Sequence, residues 1–201
     1  MKTKSENPVY LLEGENPPDL LRFYFELNHL KGLYRQGWLR RGVEERRCET
    51  VAEHSFATAV LALVLAAASP ALEAGRVLEL ALVHDLGEIY LGDLTPADGI
   101  DPLEKSRLEA EAVRRVAEHI PGGERILRLW LEFEAGETPE ARFVRQIDRL
   151  EMGLQAGIYS LQGENGMGEF FASASQALSD ESLVFLLDEM REIASNGGSI
   201  E

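Results

Sequence analysis

The sequence predicts an all-α fold, a single-domain helical bundle, on the strength of three observations. Apolar residues recur at steps of three and four along most of the chain, which is the spacing of one helix face. Capping residues and prolines stand where such stretches begin. No alternation of apolar and polar residues is long enough to predict a sheet. The chain has 201 residues, a length at which one domain is expected.

The first half of the chain holds two predicted helices separated by a glycine-containing loop. The first runs from Pro17 to Leu30, where the apolar residues fall at helical steps. After the loop, Thr50 and Glu53 form a capping box, in which a hydroxyl and a carboxylate satisfy free backbone amides. This box begins a helix that is rich in alanine and leucine and reaches about Ala68.

The second half is predicted to be helical almost throughout. A helix from Ala74 to Tyr90 is apolar on most of its circumference, so we expect it in the middle of the bundle. Thr138 is the natural cap of a long later helix. In that helix the predicted core stripe is Ile147, Leu150, Leu154 and Ile158. The further predicted helices are Pro102–His119, Glu124–Glu134, Pro139–Leu161 and Asp180–Ile193.

The two ends of the chain are expected to lie outside the bundle. We predict a loose N-terminal arm over residues 1–16, the folded domain over 17–195 and a flexible tail over 196–201. The longest apolar run, Val60–Ala68, is too short to cross a hydrocarbon layer of roughly 30 Å. A single cysteine cannot form an internal disulfide, so nothing favours an oxidising compartment. We therefore expect a cytoplasmic protein that does not enter membranes.

The charge pattern combines an acidic chain with one basic segment. The net charge of −15 at pH 7 opposes binding to a nucleic acid unless positive residues are gathered in one place. They are gathered between Lys31 and Arg47, a segment that contains six lysine and arginine residues but only two glutamates. A solvated basic loop is one interpretation. A small anion-binding site is the other, because the segment lies just upstream of a candidate ligand, His54.

Four residues are candidate metal ligands. His54 lies in the first turn of an apolar helix, where a histidine is more often a satisfied polar group than a ligand. His84 and Asp85 together end a strongly apolar run, and a buried carboxylate is costly unless it is paired or bound to metal. Neighbouring imidazole and carboxylate groups can both reach one cation. Asp148 adjoins the core stripe of its helix, although a solvated face explains its position equally well.

Two further acids are candidates for catalysis. Glu88 lies four residues after His84, so it shares the same helix face and could reach a water bound to the same ion. The alternative is an exposed glutamate at a helix end. Asp93 follows Gly92 directly, and it could also be an ordinary loop residue.

These residues stand in segments that resemble a known family. The order His54, His84-Asp85 and Asp148 on successive helices resembles the signature of the HD-domain phosphohydrolase superfamily. A lone His-Asp pair is weak because it arises often by chance, whereas five ordered segments between about Leu20 and Leu161 are specific. These segments resemble the 5'-deoxynucleotidase and HD domain-containing protein 2 group: Arg35-Gln36-Gly37-Trp38, Glu49-Thr50-Val51-Ala52-Glu53-His54-Ser55, Ala81-Leu82-Val83-His84-Asp85-Leu86-Gly87-Glu88, Gly92-Asp93-Leu94-Thr95-Pro96 and Phe143-Val144-Arg145-Gln146-Ile147-Asp148-Arg149-Leu150-Glu151.

The resemblance implies a deoxyribonucleoside 5'-monophosphatase with an HD-type helical bundle that forms a homodimer. It implies a divalent ion, cobalt or manganese, with magnesium, iron, nickel or zinc as alternatives. Glu88 would orient the attacking water, and Asp93 would support catalysis or contact the sugar. The implied metal ligands are His54, His84, Asp85 and Asp148.

The resemblance also implies which residues contact the substrate. Arg35 and Arg41 would hold the phosphate, and Trp38 would contact the base or the sugar. The segment between Trp38 and His54 is about two residues longer than the family pattern, so Arg46 or Arg47 is an alternative to Arg41.

The histidine count predicts one metal ion. Dinuclear relatives generally need two more histidines between the His-Asp pair and the last aspartate, and only His119 lies there. Two other functions stay open. The first is an HD hydrolase that acts on a nucleoside triphosphate, a cyclic nucleotide or an alarmone. The second is a non-catalytic helical scaffold with a vestigial metal site.

Overall fold

The computed structural model describes residues 1–197, and this part of the chain contains ten α-helices. Across this part backbone pairing outside helices is limited to two isolated bridges, Thr3 with Leu33 and Tyr34 with Thr50, and no strand forms. The predicted all-α, single-domain bundle is confirmed. The helices are α1 Asp19–His29, α2 Gln36–Arg40, α3 Val51–Ala66, α4 Ala74–Val83, α5 Glu88–Leu91, α6 Pro102–Ala117, α7 Gly123–Ala135, α8 Pro139–Leu161, α9 Gly168–Ala177 and α10 Glu181–Gly197.

Helix α4 lies in the middle of the bundle, as its apolar circumference predicts. It packs against α3, α7 and α8, and its Val77, Leu80 and Ala81 are completely buried. Helices α9 and α10 cover α8 from the other side. Because α3, α4 and α8 pack on one another, residues on their facing surfaces lie close together.

The predicted helix from Ala74 to Tyr90 is wrong in one respect, because it breaks at His84. Residues 84–87 form turns, and α5 begins at Glu88. At Gly87 the chain approaches α6 so closely that a Cβ atom would lie 2.7 Å from the Cβ of Glu109. This approach leaves no room for a side chain at position 87, and glycine is less favourable inside a helix than alanine. The break sets His84 and Asp85 at the end of α4 rather than on a continuous helix surface.

Helix α8 differs from its prediction in the face that it buries. Its bounds and its Thr138 cap agree with the sequence, since the Thr138 hydroxyl accepts a hydrogen bond from the Ala141 amide at 3.2 Å. Ile158, however, is 40% exposed. The two helical glycines instead face the covering helices: a Cβ at Gly153 would lie 2.5 Å from Leu187, and one at Gly157 would lie 2.5 Å from Met190. These close contacts turn Ile158 towards solvent.

Two helices, α2 and α9, are absent from the sequence prediction. Helix α2 covers five residues that include Gly37, and its first amide is bound by a side chain 57 residues further along the chain. Helix α9 contains many small residues and packs on α8. Both therefore depend on tertiary contacts that periodicity cannot indicate.

The ends of the chain contact the bundle where they can be described. Within the arm predicted over 1–16, Pro8–Leu12 form a 3-10 helix. The Lys2 amide donates a hydrogen bond to the Gln36 side chain at 2.9 Å, and the Lys4 amide donates to the Gly32 carbonyl at 2.6 Å. Of the tail predicted over 196–201, residues 196 and 197 belong to α10, and 198–201 lie outside the described residues. None of the helices described is both long enough and apolar enough to span a membrane.

The capping box at the start of α3 gives a stability prediction. The Glu53 amide donates to the Thr50 hydroxyl at 3.3 Å, and the Thr50 amide donates to the Glu53 carboxylate at 2.7 Å. We expect Thr50→Ala to lower the free energy of unfolding by about 1 kcal/mol, because it leaves a helix amide without its acceptor. In thermal denaturation this corresponds to a loss of about 2–4 °C in Tm. Thr50→Ser keeps the acceptor oxygen and is the control. Equal Tm values for both variants would contradict the prediction.

Candidate metal centre

Four side chains from α3, α8 and the turn after α4 converge on one point. The Nε2 atom of His54 lies 3.1 Å from Oδ1 of Asp148, 3.5 Å from Nε2 of His84 and 3.7 Å from Oδ2 of Asp85. The Nε2 atom of His84 is 3.2 Å from Oδ2 of Asp85. The structure thus brings together all four residues that the sequence indicates as ligands, although they come from α3, the turn after α4, and α8.

Local hydrogen bonds orient the two histidines. The Nδ1 atom of His84 is 2.7 Å from the Ala81 carbonyl, one turn earlier in α4, so it donates there and Nε2 faces the cluster. The carbonyl of His84 accepts a hydrogen bond from the Trp130 indole at 3.2 Å. His54 is completely buried, and its Nδ1 atom is 2.5 Å from Oε2 of Glu151. Both rings therefore present Nε2 to the same point.

The electrostatics of the cluster favour a positive charge at its centre. Burial would raise the pKa of Asp85, but His84 and His54 hold the pKa of this carboxyl well below its usual range. Burial would likewise raise the pKa of Asp148, and its hydrogen bond with His54 lowers it. Burial and Arg35 oppose protonation of His54, yet hydrogen bonds to Asp148 and Glu151 raise its pKa to about 10. The carboxylates therefore stabilise a cation among them.

The residues present fit a divalent cation. Two imidazole nitrogens and two carboxylates form a mixed donor set that suits a transition-metal ion. His54, His84 and Asp85 offer ligand atoms that all lie within 4.8 Å of one another. Glu88 is 5% exposed, and among the described residues its Oε2 atom has no hydrogen-bond partner. Such an orphaned buried oxygen indicates that the site is completed by a ligand or a water.

Glu88 and Asp93 both lie next to the cluster, but with different partners. Glu88 begins α5, and burial followed by the charges of Asp85 and Asp93 raises its pKa well above the ordinary value. Asp93 accepts a hydrogen bond from the Gln36 amide at 2.5 Å and pairs with Arg35 at 3.1 Å. Asp93 therefore holds the start of α2 and the Arg35 side chain at the edge of the cluster.

The basic segment is not a bare positive patch, because its arginines are paired with carboxylates. Five of its arginines form ion pairs with carboxylates, and apart from Glu44 these carboxylates come from later parts of the chain. Arg41, expected at the phosphate, is paired with Glu169 of α9. Opposite charges brought in by the fold neutralise the local excess, a result that sequence spacing does not reveal. The pairs are Arg35–Asp93, Arg40–Asp98, Arg41–Glu169, Arg46–Glu44 and Arg47–Glu164.

Trp38 is packed in the core, although the resemblance implied contact with a base or sugar. It is 1% exposed, and its ring lies 4.0 Å from that of Phe170 and 5.2 Å from that of Tyr159, measured between centroids. Its indole donates a hydrogen bond to Glu49 at 2.7 Å. No ring face is open to a ligand in this arrangement.

Sequence reasoning missed two carboxylates behind His54. Glu151 is 5% exposed and contacts Nδ1 of His54. Glu49 offers a carboxylate oxygen within 4.8 Å of a ring nitrogen of His54, and burial followed by the charge of Glu151 raises the pKa of Glu49 to about 7. The signal for Glu151 was its position three residues after Asp148, which sets both on one face of α8. For Glu49, at the end of an irregular loop, no periodicity was available.

Comparisons with known proteins agree with this geometry. A family model described as the HD domain matches residues 27–184. The chain is 35% identical over 190 residues to the 5'-deoxynucleotidase HDDC2 of Bos taurus, and the match covers 92% of this chain and 91% of that protein. The similarity therefore covers most of the bundle, and the residues matched by the family model span the positions of the four clustered side chains.

Solved structures share the fold. The PH0347 protein of Pyrococcus horikoshii superimposes with a TM-score of 0.70 at 30% identity and covers 87% of this chain and 98% of its own. A predicted metal-dependent phosphohydrolase of Magnetospirillum magnetotacticum gives a TM-score of 0.66 at 27% identity, with 90% and 95% covered. The buried cluster, the matched family model and the shared bundle lead to one conclusion: this chain belongs to the HD-domain family.

Proposed function

We propose that the protein is a metal-dependent 5'-deoxynucleotidase, which hydrolyses deoxyribonucleoside 5'-monophosphates to deoxyribonucleosides and phosphate. The observation that carries the proposal most is the convergence of His54, His84, Asp85 and Asp148 beside the orphaned oxygen of Glu88. The similarity to a 5'-deoxynucleotidase over nearly the whole chain supports the choice of substrate.

In the proposed reaction, the metal ion would be held by His54, His84, Asp85 and Asp148. Glu88 would act as the general base. A divalent cation bound there would acidify water and offset negative charge on the phosphoryl oxygens. Glu88 is proposed to accept a proton from the attacking water, because its Oε2 atom has no hydrogen-bond partner among the described residues and its raised pKa makes it a stronger base than an ordinary glutamate. Water adds to phosphorus, the bond to the 5'-oxygen breaks, and a proton returns to that oxygen.

Arg35 and Asp93 are proposed to receive the substrate at the edge of the cluster. Arg35 has a planar guanidinium group that suits phosphate oxygens. The negative charges of Asp93, Asp85 and Glu88 stabilise its positive charge. Asp93 holds Arg35 and supports catalysis or contacts the sugar. Arg41 remains a proposed phosphate ligand, and to reach the substrate it would have to exchange Glu169 for the phosphate. We propose no ligand contact for Trp38, since its ring is covered.

The proposed cofactor is one divalent ion, cobalt or manganese. A single ion is proposed because His119 is the only histidine between the His84-Asp85 pair and Asp148, where dinuclear relatives generally need two. Metal analysis of purified protein, loaded separately with each candidate ion, gives the stoichiometry. One equivalent bound tightly is expected, and two would contradict the mononuclear proposal.

We propose a homodimer that acts in the cytoplasm. Helix α3 has no aspartate, glutamate, lysine or arginine after Glu53, yet four of its apolar residues, one and two turns apart, are 40–71% exposed: Phe56, Val60, Leu63 and Val64. An apolar helix of this kind is normally covered on all sides. Light scattering should give twice the chain mass for the wild type. Phe56→Glu should lower this mass, whereas Phe185→Glu, at an exposed site on α10, should not if α3 forms the interface.

A substrate panel tests the activity. Phosphate release is measured for the four deoxyribonucleoside 5'-monophosphates, their ribose and 3'-phosphate counterparts, a nucleoside triphosphate and a cyclic nucleotide, each with several divalent ions. We expect deoxyribonucleoside 5'-monophosphates to turn over fastest with cobalt or manganese. Turnover of another phosphate compound alone would identify a different HD hydrolase. No turnover of any compound by metal-loaded protein would favour a non-catalytic scaffold.

A further inference from the structure

Helix α8 contacts both nitrogens of the His54 ring. Asp148 approaches Nε2 at 3.1 Å, and Glu151, one turn later, approaches Nδ1 at 2.5 Å. His54 is completely buried and Glu151 is 5% exposed, so neither side chain can exchange its partner for solvent. The ring is therefore held edge-on between two carboxylates of a single helix.

The two contacts have different chemical consequences. A carboxylate that accepts a hydrogen bond from Nδ1–H keeps the proton of a neutral imidazole on Nδ1. The lone pair is then on Nε2, the atom that faces His84, Asp85 and Asp148. The negative charge of that acceptor also makes Nε2 more basic and so a better ligand. Without the acceptor, either tautomer could form, and the tautomer with the proton on Nε2 cannot bind a cation there.

His84 provides an internal comparison. Its Nδ1 atom is satisfied by the backbone carbonyl of Ala81, at 2.7 Å, so its orientation needs no other side chain. The Nδ1 atom of His54 has a side-chain acceptor instead, at 2.5 Å. The tautomer of His54 is therefore the one that a single side-chain substitution can change.

We propose that Glu151 is a positioning residue for the metal centre. Its carboxylate accepts a hydrogen bond from the Nδ1–H group of His54 and so keeps Nε2 available as a ligand. This inference rests on the proposed role of His54 as a ligand. It predicts that Glu151 acts on metal affinity first and on turnover only through the metal.

Metal affinity tests the proposal directly. Dissociation constants for Mn²⁺ are measured by competition with a chromophoric chelator for the wild type, Glu151→Ala and Glu151→Gln. We expect Glu151→Ala to weaken binding by about 10–100-fold. Glu151→Gln keeps an acceptor oxygen and should restore part of the loss. At saturating Mn²⁺, kcat should recover in large part in both variants.

Two controls separate the hydrogen bond from simpler effects. Glu49→Gln removes another carboxylate close to His54 but leaves the bond to Glu151, so it should change Mn²⁺ affinity much less than Glu151→Ala. In Zn²⁺-loaded protein with ¹⁵N-labelled histidine, the Nδ1–H proton of His54 should resonate far downfield in the wild type. The resonance should move upfield in Glu151→Gln and disappear by exchange in Glu151→Ala.

The outcomes are distinct. Unchanged Mn²⁺ affinity in Glu151→Ala, or an equal loss in Glu49→Gln, would overturn the proposal. If Glu151→Ala does not fold, as circular dichroism would show, Glu151→Gln decides: weaker binding with a shifted Nδ1–H resonance supports the role, and no change in either overturns it. A wild-type protein that binds neither ion would instead overturn the metal site itself.

Discussion

Asp85→Asn is expected to lower kcat/KM for a deoxyribonucleoside 5'-monophosphate by on the order of 10³-fold or more, since a catalytic cation supplies several kcal/mol and each 1.36 kcal/mol is tenfold. The substitution keeps the shape of the side chain and a hydrogen-bond partner for the Ser55 hydroxyl, which lies 3.2 Å from Oδ2. It removes one of two negative charges that stabilise a cation in a buried site. Metal content after dialysis and kcat/KM are the measurements.

Asp188→Asn is the matched control for this loss. This substitution also removes one negative charge, but on the exposed side of α10, where Asp188 pairs with Arg191 at 3.0 Å. We expect this variant to keep wild-type metal content and kcat/KM. If Asp85→Asn bound the ion as tightly as the control does, Asp85 would not be a ligand.

Glu88→Gln is expected to lower kcat by about 10²–10⁴-fold, the range for loss of a general base. The amide keeps the size of the side chain but cannot accept a proton from water. Metal affinity should be retained, because Glu88 lies beside the ligands rather than among them. Glu26→Gln is the matched control: Glu26 is also a buried glutamate with one unpaired oxygen, but it pairs with Tyr90 through the other. Its kcat should stay close to wild type.

The pH profile gives a second measurement for Glu88. Burial and the charges of Asp85 and Asp93 raise its pKa, so the carboxylate form is lost at a higher pH than for an ordinary glutamate. A base must be deprotonated to act, and kcat/KM should therefore fall as pH decreases through this raised pKa. The acidic limb should disappear in Glu88→Gln. An unchanged limb would assign it to another group.

The sequence predicted the bundle from local signals, and it indicated the four residues of the cluster through ordered segments that resemble the HD superfamily. Helix periodicity, the Thr50 and Thr138 caps and the ordered histidines and aspartates can all be read within short segments. The break after α4 was not predicted, and the close approach of Gly87 to Glu109, 22 positions further along the chain, is a tertiary contact that local signals do not show.

The surroundings of the site were predicted less well than its centre. The arginines of the basic segment looked available for an anion, because most of the acids that pair with them lie far along the chain: Asp93 and Asp98 are 58 positions from their arginines, and Glu164 and Glu169 are more than a hundred positions away. Trp38 looked like a ligand contact because the sequence does not show that Phe170 covers it. Such pairings are decided by tertiary packing, which a single sequence without periodic signals does not specify.

The wide separation of the ligands along the chain has a consequence for the lifetime of the protein. His54 and Asp148 are 94 residues apart, so a cation held by both, as proposed, would bind the folded chain far more tightly than the unfolded one. Mass action then adds about 2.7 kcal/mol to the folded state at a free ion concentration of 100 times Kd. Chelation should therefore raise the unfolded fraction and expose the chain to proteolysis. Cellular supply of the ion would govern how much of the protein survives, as well as how fast each molecule works.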